Sequence, residues 1–384
     1  MDILTARTTD GQLVILSKDD CRISLRNRRD METFYCPQCK KPVHMKVGDF
    51  KVPHFAHAFN SSCQNLFAEG ESAEHLLGKQ LLYEWLLQKR KRDVVLEPVM
   101  KAIQQRPDLL VTSDEECVPI EFQCSTIPVN QLQKRTDGFR TIGMNPIWIL
   151  QTPISLVDCP QGVSVLRLSK FQEWFTLNPP IEGDVLLTFY PHTKTFHYYH
   201  HLLHLAGQRY IGIHHVLPMH YQVFPLARPK LLNENALRSY ADMYKAFRED
   251  DLKKRILLNR KGIKDPFLLS CYKLRILPVE LPLWIGVPTK GHDAFREADY
   301  EWQLRLLHFC KQHSLPVQRV GRTWISRFVN QFSNPSTEKV EACRNYSRFL
   351  RQHNFQSLGE ETDFSENEVL QIISERFLAK ATQN

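Results

Sequence analysis

The chain has 384 residues, enough for two or three domains that each bury a core, and 42% of them are hydrophobic and 24% charged, as in an ordinary soluble protein. A formal net charge of +8 permits a polyanionic partner without demanding one. No apolar run approaches the length of a membrane span, and Met1-Asp2-Ile3-Leu4 leads straight into polar sequence, so a cytoplasmic protein with no membrane partner is expected.

Residues 1 to 30 hold short apolar runs such as Leu13-Val14-Ile15-Leu16, which predict a small hairpin without evident chemistry. Ten cysteines in this context favour reduced thiols or metal ligands over a disulfide framework. One cluster has ligand spacing. Cys36 and Cys39 lie two residues apart, His54 and His57 follow after a fourteen-residue gap with Gly48 at the turn, and Cys63 comes shortly after. Four of these five suit a tetrahedral, structural Zn²⁺, with Cys63 free to replace one histidine. The alternative is a reduced knuckle held by packing.

The stretch EGESAEHLLGKQLLYEWLLQKRKR, residues 69 to 92, predicts a buried helix in which Glu71, His75 and Lys79, four apart, share one face. Strands are expected at about 94–100, 107–112 and 118–123, then a helix at 128–141 ending at Gly143 and a strand at 146–150. Asp108 opens the second strand and Glu121 lies near the end of the third. A tight turn between those strands sets the two acids side by side, where a divalent cation such as Mg²⁺ neutralises them. Phe122 then faces the core while Glu121 and Gln123 face the site. The alternative is a hydrogen-bonded polar sheet end. The α-β-β-β-α-β order is that of a restriction-endonuclease-like core.

The run CPQC…HFAH…ESAEHLLGK…QRPDLL…IEFQCS…RTDGF…PIWIL, over roughly residues 34 to 150, resembles the CoiA family of bacterial competence proteins. The resemblance implies an α/β PD-(D/E)xK nuclease-like domain and a part in natural transformation, acting on incoming DNA or its recombination. It assigns Glu71 as the acidic helix residue, followed by His75 and Lys79, Asp108 as the PD acid, and Glu121 with Gln123 as the second-strand motif. The implied enzyme is a Mg²⁺- or Mn²⁺-dependent deoxyribonuclease: Asp108, Glu121 and the Phe122 carbonyl hold the metal, Glu71 binds a second ion or positions water, and Lys79 and Gln123 meet the scissile phosphate. Gln123 stands where the wider nuclease pattern has lysine, and an amide supplies no positive charge to the transition state. The other reading is therefore a DNA-binding recombination factor without turnover that recruits a recombinase.

Lys134, Arg135 and Arg140 on the helix after the sheet, and Lys253, Lys254 and Arg255 in a basic helical stretch, are candidate contacts to single-stranded or branched DNA, although solvated helix faces explain each equally well. His197, His201 and His204 would share a helical face, with aromatic and imidazole packing or nucleic-acid contact favoured over a second metal site. The expected organisation is a zinc-knuckle-like module at 1–66, a nuclease-like domain at 67–155 and a mainly helical region at 156–384.

Overall fold

The computed structural model describes residues 2–58, 72–89, 92–113, 116–177, 185–258, 260, 262–355 and 364–381. The chain divides into two compact units. The first takes residues 1–160, 170–200 and 214–229, and the second takes 161–169, 201–213 and 230–384.

The first unit opens with β1 (Asp2–Ile3), β2 (Thr5–Thr8), β3 (Leu13–Ile15), α1 (Arg22–Met31), β4 (Phe34–Tyr35), β5 (Pro42–Lys46) and β6 (His54–His57). The hairpin expected in the first thirty residues is β2–β3, paired Thr5 to Ile15. The basic helix α1 was not anticipated; it buries Leu25 alone, too sparse an apolar pattern to read by periodicity. The strands form one sheet in the order β1-β6-β5-β4-β2-β3 over a small core that includes Ile3, Phe34, Met45 and Phe55.

Next come α2 (Ala73–Leu87), β7 (Asp93–Leu96), β8 (Leu109–Thr112), β9 (Cys117–Gln123), α3 (Val129–Arg140), β10 (Ile147–Gln151) and the short α4 (Ile154–Val157). The α-β-β-β-α-β order is present. Helix α2 starts where Ser72 Oγ accepts the His75 N–H at 3.1 Å, which satisfies one of the free donors of the first turn. Leu76, Leu81, Leu82, Trp85 and Leu86 bury it nearly all round, as their spread about the circumference requires. Strands β7, β8 and β9 are antiparallel, with Leu96 opposite Leu109 and Leu109 opposite Ile120, while β10 joins parallel, with Trp148 opposite Glu121.

All of β9 from Pro119 to Gln123 is buried. Gly78 lets α2 come close to it: a Cβ at that position would lie 2.1 Å from Phe122 Cε1. Gly78→Ala is therefore expected to destabilise the protein by ~2 kcal/mol, because overpacking outweighs the gain in helix propensity, and urea unfolding with an unchanged m-value checks this.

After β11 (Gly162–Arg167) and α5 (Lys170–Leu177), β12 (Val185–Tyr190) pairs parallel with β10 and antiparallel with β13 (Thr195–Ala206), which is followed by β14 (Arg209–Pro218). The histidine-rich stretch is thus a pair of strands and not a helix. Its alternation of aromatic and aliphatic residues fits a period of two as well as a helical turn, and the β-propensity of Phe196, Tyr198 and Tyr199 prevails. His197 Nδ1 and His214 Nε2 are 3.0 Å apart and Tyr199 stacks on His214, so these imidazoles are packing groups. The region after residue 155 thus begins with strands before it becomes helical.

The second unit is built mainly from α6 (Glu234–Leu258), α7 (Pro266–Leu274), α8 (Asp299–Gln312), α9 (Arg322–Val329), α10 (Thr337–Gln352) and α11 (Glu366–Ala381). Its largest core gathers Phe295, Trp302, Phe328 and Tyr346. No helix among the described residues is long and apolar enough to cross a membrane.

Candidate metal-binding active site

Continuing the β8–β9 register by one residue beyond Leu109 and Ile120 places Asp108 opposite Glu121. The β7–β8 register likewise sets Glu97 beside Asp108, and the Glu97 N–H donates to the Asp108 carbonyl at 2.9 Å. Three acids from three adjacent strands therefore stand in one row.

Asp108 is 8% exposed. Its Oδ2 accepts the Phe122 N–H at 2.8 Å and lies 3.2 Å from His75 Nε2, while Oδ1 lies 3.7 Å from Lys79 Nζ. Burial alone would raise this carboxyl, but the attraction of His75 and Lys79 outweighs it and holds Asp108 well below the usual carboxylate range.

Glu121 is 1% exposed. Arg135 on α3 donates to its Oε2 at 2.7 Å and to the Arg106 carbonyl at 3.2 Å, and the guanidinium lies over the Trp148 ring. Glu121 Oε1 is buried with no hydrogen-bond partner among the described residues. Burial pushes the Glu121 carboxyl up to about 8, with Arg135 pulling it back and the Asp108 charge adding to the rise. Two neighbouring carboxyls are thereby driven in opposite directions, a separation typical of sites that do acid–base or metal chemistry.

The remaining residues fall differently from the sequence expectation. Lys79 is wholly buried, and its ammonium is 2.6 Å from Glu97, so it stands behind Asp108 instead of reaching a phosphate at the surface. Gln123 donates its amide to the Ser125 carbonyl at 2.7 Å. Glu71 lies outside the described residues. Arg135 turns inward to Glu121, which removes it from the phosphate contacts expected of α3, while Lys134 and Arg140 are exposed, the latter 3.8 Å from Asp137. In the second unit, Arg255 is bound to Asp265 at 3.0 Å and to Glu301, committed to that unit's interior, whereas Lys253 is exposed and Lys254 pairs with Asp250. Sequence reasoning missed Glu97. The available signal was an acid directly after an apolar strand and before a proline, Val94-Val95-Leu96-Glu97-Pro98, on the strand next to Asp108.

The donor set fits a divalent cation. Each of Asp108 and Glu121 keeps one carboxylate oxygen outside its short hydrogen bonds, and a buried oxygen without a donor, as at Glu121 Oε1, is the kind of group a cation covers. Oxygen ligands of this type suit Mg²⁺ or Mn²⁺.

A second candidate centre lies beside the N-terminal sheet. Cys36, Cys39 and His57 offer ligand atoms that are all within 4.8 Å of one another, the one such group of three among the described residues, and Cys39 Sγ is 3.3 Å from His57 Nε2. His54 does not join them. The two histidines are three apart on β6, and a strand alternates faces at each residue, so His54 points away and sets its Nδ1 2.8 Å from the Val52 carbonyl. Cys63, the other expected ligand, lies outside the described residues.

Two stretches of the chain match known families. Residues 71–229 match the "Competence protein CoiA, nuclease-like domain" and residues 18–66 the "Competence protein CoiA, N-terminal domain". A Bacillus subtilis protein named Competence protein CoiA is 44% identical over 126 residues, a match that spans 33% of this chain and 32% of the relative. No solved structure matches the chain. The nuclease-like match contains Lys79, Glu97, Asp108, Glu121 and Arg135, and the N-terminal match contains Cys36, Cys39 and His57: the chain belongs to the CoiA family of competence proteins.

Proposed function

We propose that the protein is a Mg²⁺- or Mn²⁺-dependent deoxyribonuclease with a restriction-endonuclease-like core, acting in natural competence on incoming DNA or on recombination intermediates. The observation that carries this reading is the Asp108–Glu121 pair on adjacent strands, buried, oppositely shifted, and with one carboxylate oxygen lacking a donor among the described residues. Asp108, Glu121 and the Phe122 carbonyl would hold the cation. When bound, it supplies a water ionised near neutral pH and charge neutralisation at the phosphorus. His75 orients Asp108, and Arg135 fixes Glu121 and offsets part of its burial. Lys134 and Arg140 on α3 are candidate contacts to the DNA backbone, and the substrate proposed is single-stranded or branched DNA.

A second reading is favoured by Gln123 and Lys79. The amide engaged with Ser125 and the lysine engaged with Glu97 leave the usual catalytic cation's place without a lysine, which suits a DNA-binding recombination factor that recruits a recombinase. Incubating the wild type, Asp108→Ala and Glu121→Ala with single-stranded, duplex and branched DNA in Mn²⁺ separates the two. Cleavage by the wild type, lost in both variants with binding retained, supports the enzyme. Binding without cleavage by the wild type supports the recombination factor.

We further infer that Cys36, Cys39 and His57 hold a structural Zn²⁺. Elemental analysis should find one equivalent of zinc per chain, Cys39→Ser should lose it, and chelation should lower the melting temperature. Zinc-free protein with an unchanged melting curve would refute the assignment.

A further inference from the structure

Glu97 is the one acid of the row for which the proposed chemistry has no role. It is 3% exposed and sits at a φ of 51°, a left-handed conformation uncommon for glutamate that persists only where surrounding bonds impose it. Those bonds are present. One carboxylate accepts the Leu4 N–H, at 3.0 and 3.1 Å to its two oxygens, the Thr5 N–H at 3.1 Å and the Thr5 hydroxyl at 2.6 Å, and it takes the Lys79 ammonium at 2.6 Å. Burial pushes its carboxyl up, but Lys79 and Arg106 beside it prevail and hold it below the ordinary range, so it is a charged group in the core.

Of the two described acids beside it, Lys79 lies nearer Glu97, at 2.6 Å, than Asp108, at 3.7 Å. In a water-poor interior the attraction between charges falls steeply with separation, and the nearer partner decides where the ammonium rests. Without Glu97, the same ammonium would close on Asp108 Oδ1 and compete with any cation for it.

We propose that Glu97 is a positioning residue of the acidic site: it draws Lys79 back so that Asp108 stays open to a divalent cation, and through Leu4 and Thr5 it makes the first strands of the chain part of that site. The inference rests on the assignment of Asp108 and Glu121 as cation ligands and adds the group that keeps one of them available. It also explains why a nuclease-like core would carry a fully buried lysine away from the phosphate position.

The test is Mn²⁺ binding to the full chain without DNA, followed by electron paramagnetic resonance of the free ion, for wild type, Asp108→Asn, Glu97→Gln and the double variant Lys79→Gln/Glu97→Gln, with a melting curve for each. Wild type should bind an ion that Asp108→Asn loses. Glu97→Gln should weaken that binding about tenfold, as expected for a competing cation moving onto a ligand, and the double variant, which removes the competitor, should return to within about twofold of wild type. Glu97→Asp, which keeps the charge on a shorter arm, is carried alongside in case Glu97→Gln does not fold, and it should weaken binding in the same direction. Wild-type affinity in Glu97→Gln or Glu97→Asp overturns the inference, as does a double variant no tighter than Glu97→Gln. If wild type binds no ion that Asp108→Asn removes, the assignment of the acidic site fails first and the inference falls with it.

Discussion

Glu121→Gln is expected to abolish DNA cleavage, by at least ~10³-fold, while leaving the metal-free protein as stable as wild type or more so near pH 8. The two effects part because Glu121 is a carboxyl that burial keeps protonated up to about pH 8. A glutamine copies the neutral acid in shape and still accepts from Arg135. The folded-state pKa lies above the ordinary 4.5, so the folded protein retains a proton that the unfolded chain gives up. Stability from this group is complete below pH 4.5, declines as pH rises toward 8 by ~1.4 kcal/mol per unit, and is level above. Removing the titration removes that decline.

Asp108→Asn should lose cleavage to the same extent but with the opposite effect on stability. Asp108 is held below its ordinary value, so its contribution is present above pH 3.8 and lost as pH falls. At neutral pH the asparagine leaves His75 and Lys79 without that charge, at a cost of ~3 kcal/mol, the size expected for breaking a buried ion pair. Chemical denaturation of the two variants at pH 8 checks the contrast. Equal losses in both would mean that the two carboxyls have the same charge state, contrary to the asymmetry of their surroundings.

The second large effect is on the metal. Since Glu121 must ionise to bind a cation, the apparent affinity of the metal-free protein for Mn²⁺ should rise ~10-fold per pH unit from pH 6 to about 8 and then level off, with about one proton released per ion below pH 7. Calorimetry in two buffers of different ionisation enthalpy reads both quantities. An affinity flat across that range would exclude Glu121 as the titrating ligand.

Much of this site was legible in the sequence because it follows from period and register. Two apolar runs about a short polar turn fix antiparallel strands, and the count of residues from Asp108 to Glu121 then fixes their opposition. What was not legible depends on which way a long side chain turns. Arg135 looks like any other basic residue of α3, yet it lies on the buried side of a helix whose exposed neighbours are also basic. Lys79 shares the helical face of His75, as expected, but whether that face meets solvent or the core is set by Glu97, an acid whose partners Leu4 and Thr5 are more than ninety residues away in the chain. His54 and His57 show the same difficulty locally: a spacing of three suits a shared ligand set on a helical turn and divides it on a strand.

Asp108 and Glu121 are expected to share one cation. Anomalous diffraction at the manganese edge from crystals grown at pH 8 with Mn²⁺ measures this directly. The expected result is a peak bridging the two carboxylates, absent in Glu121→Gln. A fully occupied crystal form with manganese nowhere between Asp108 and Glu121 would contradict it.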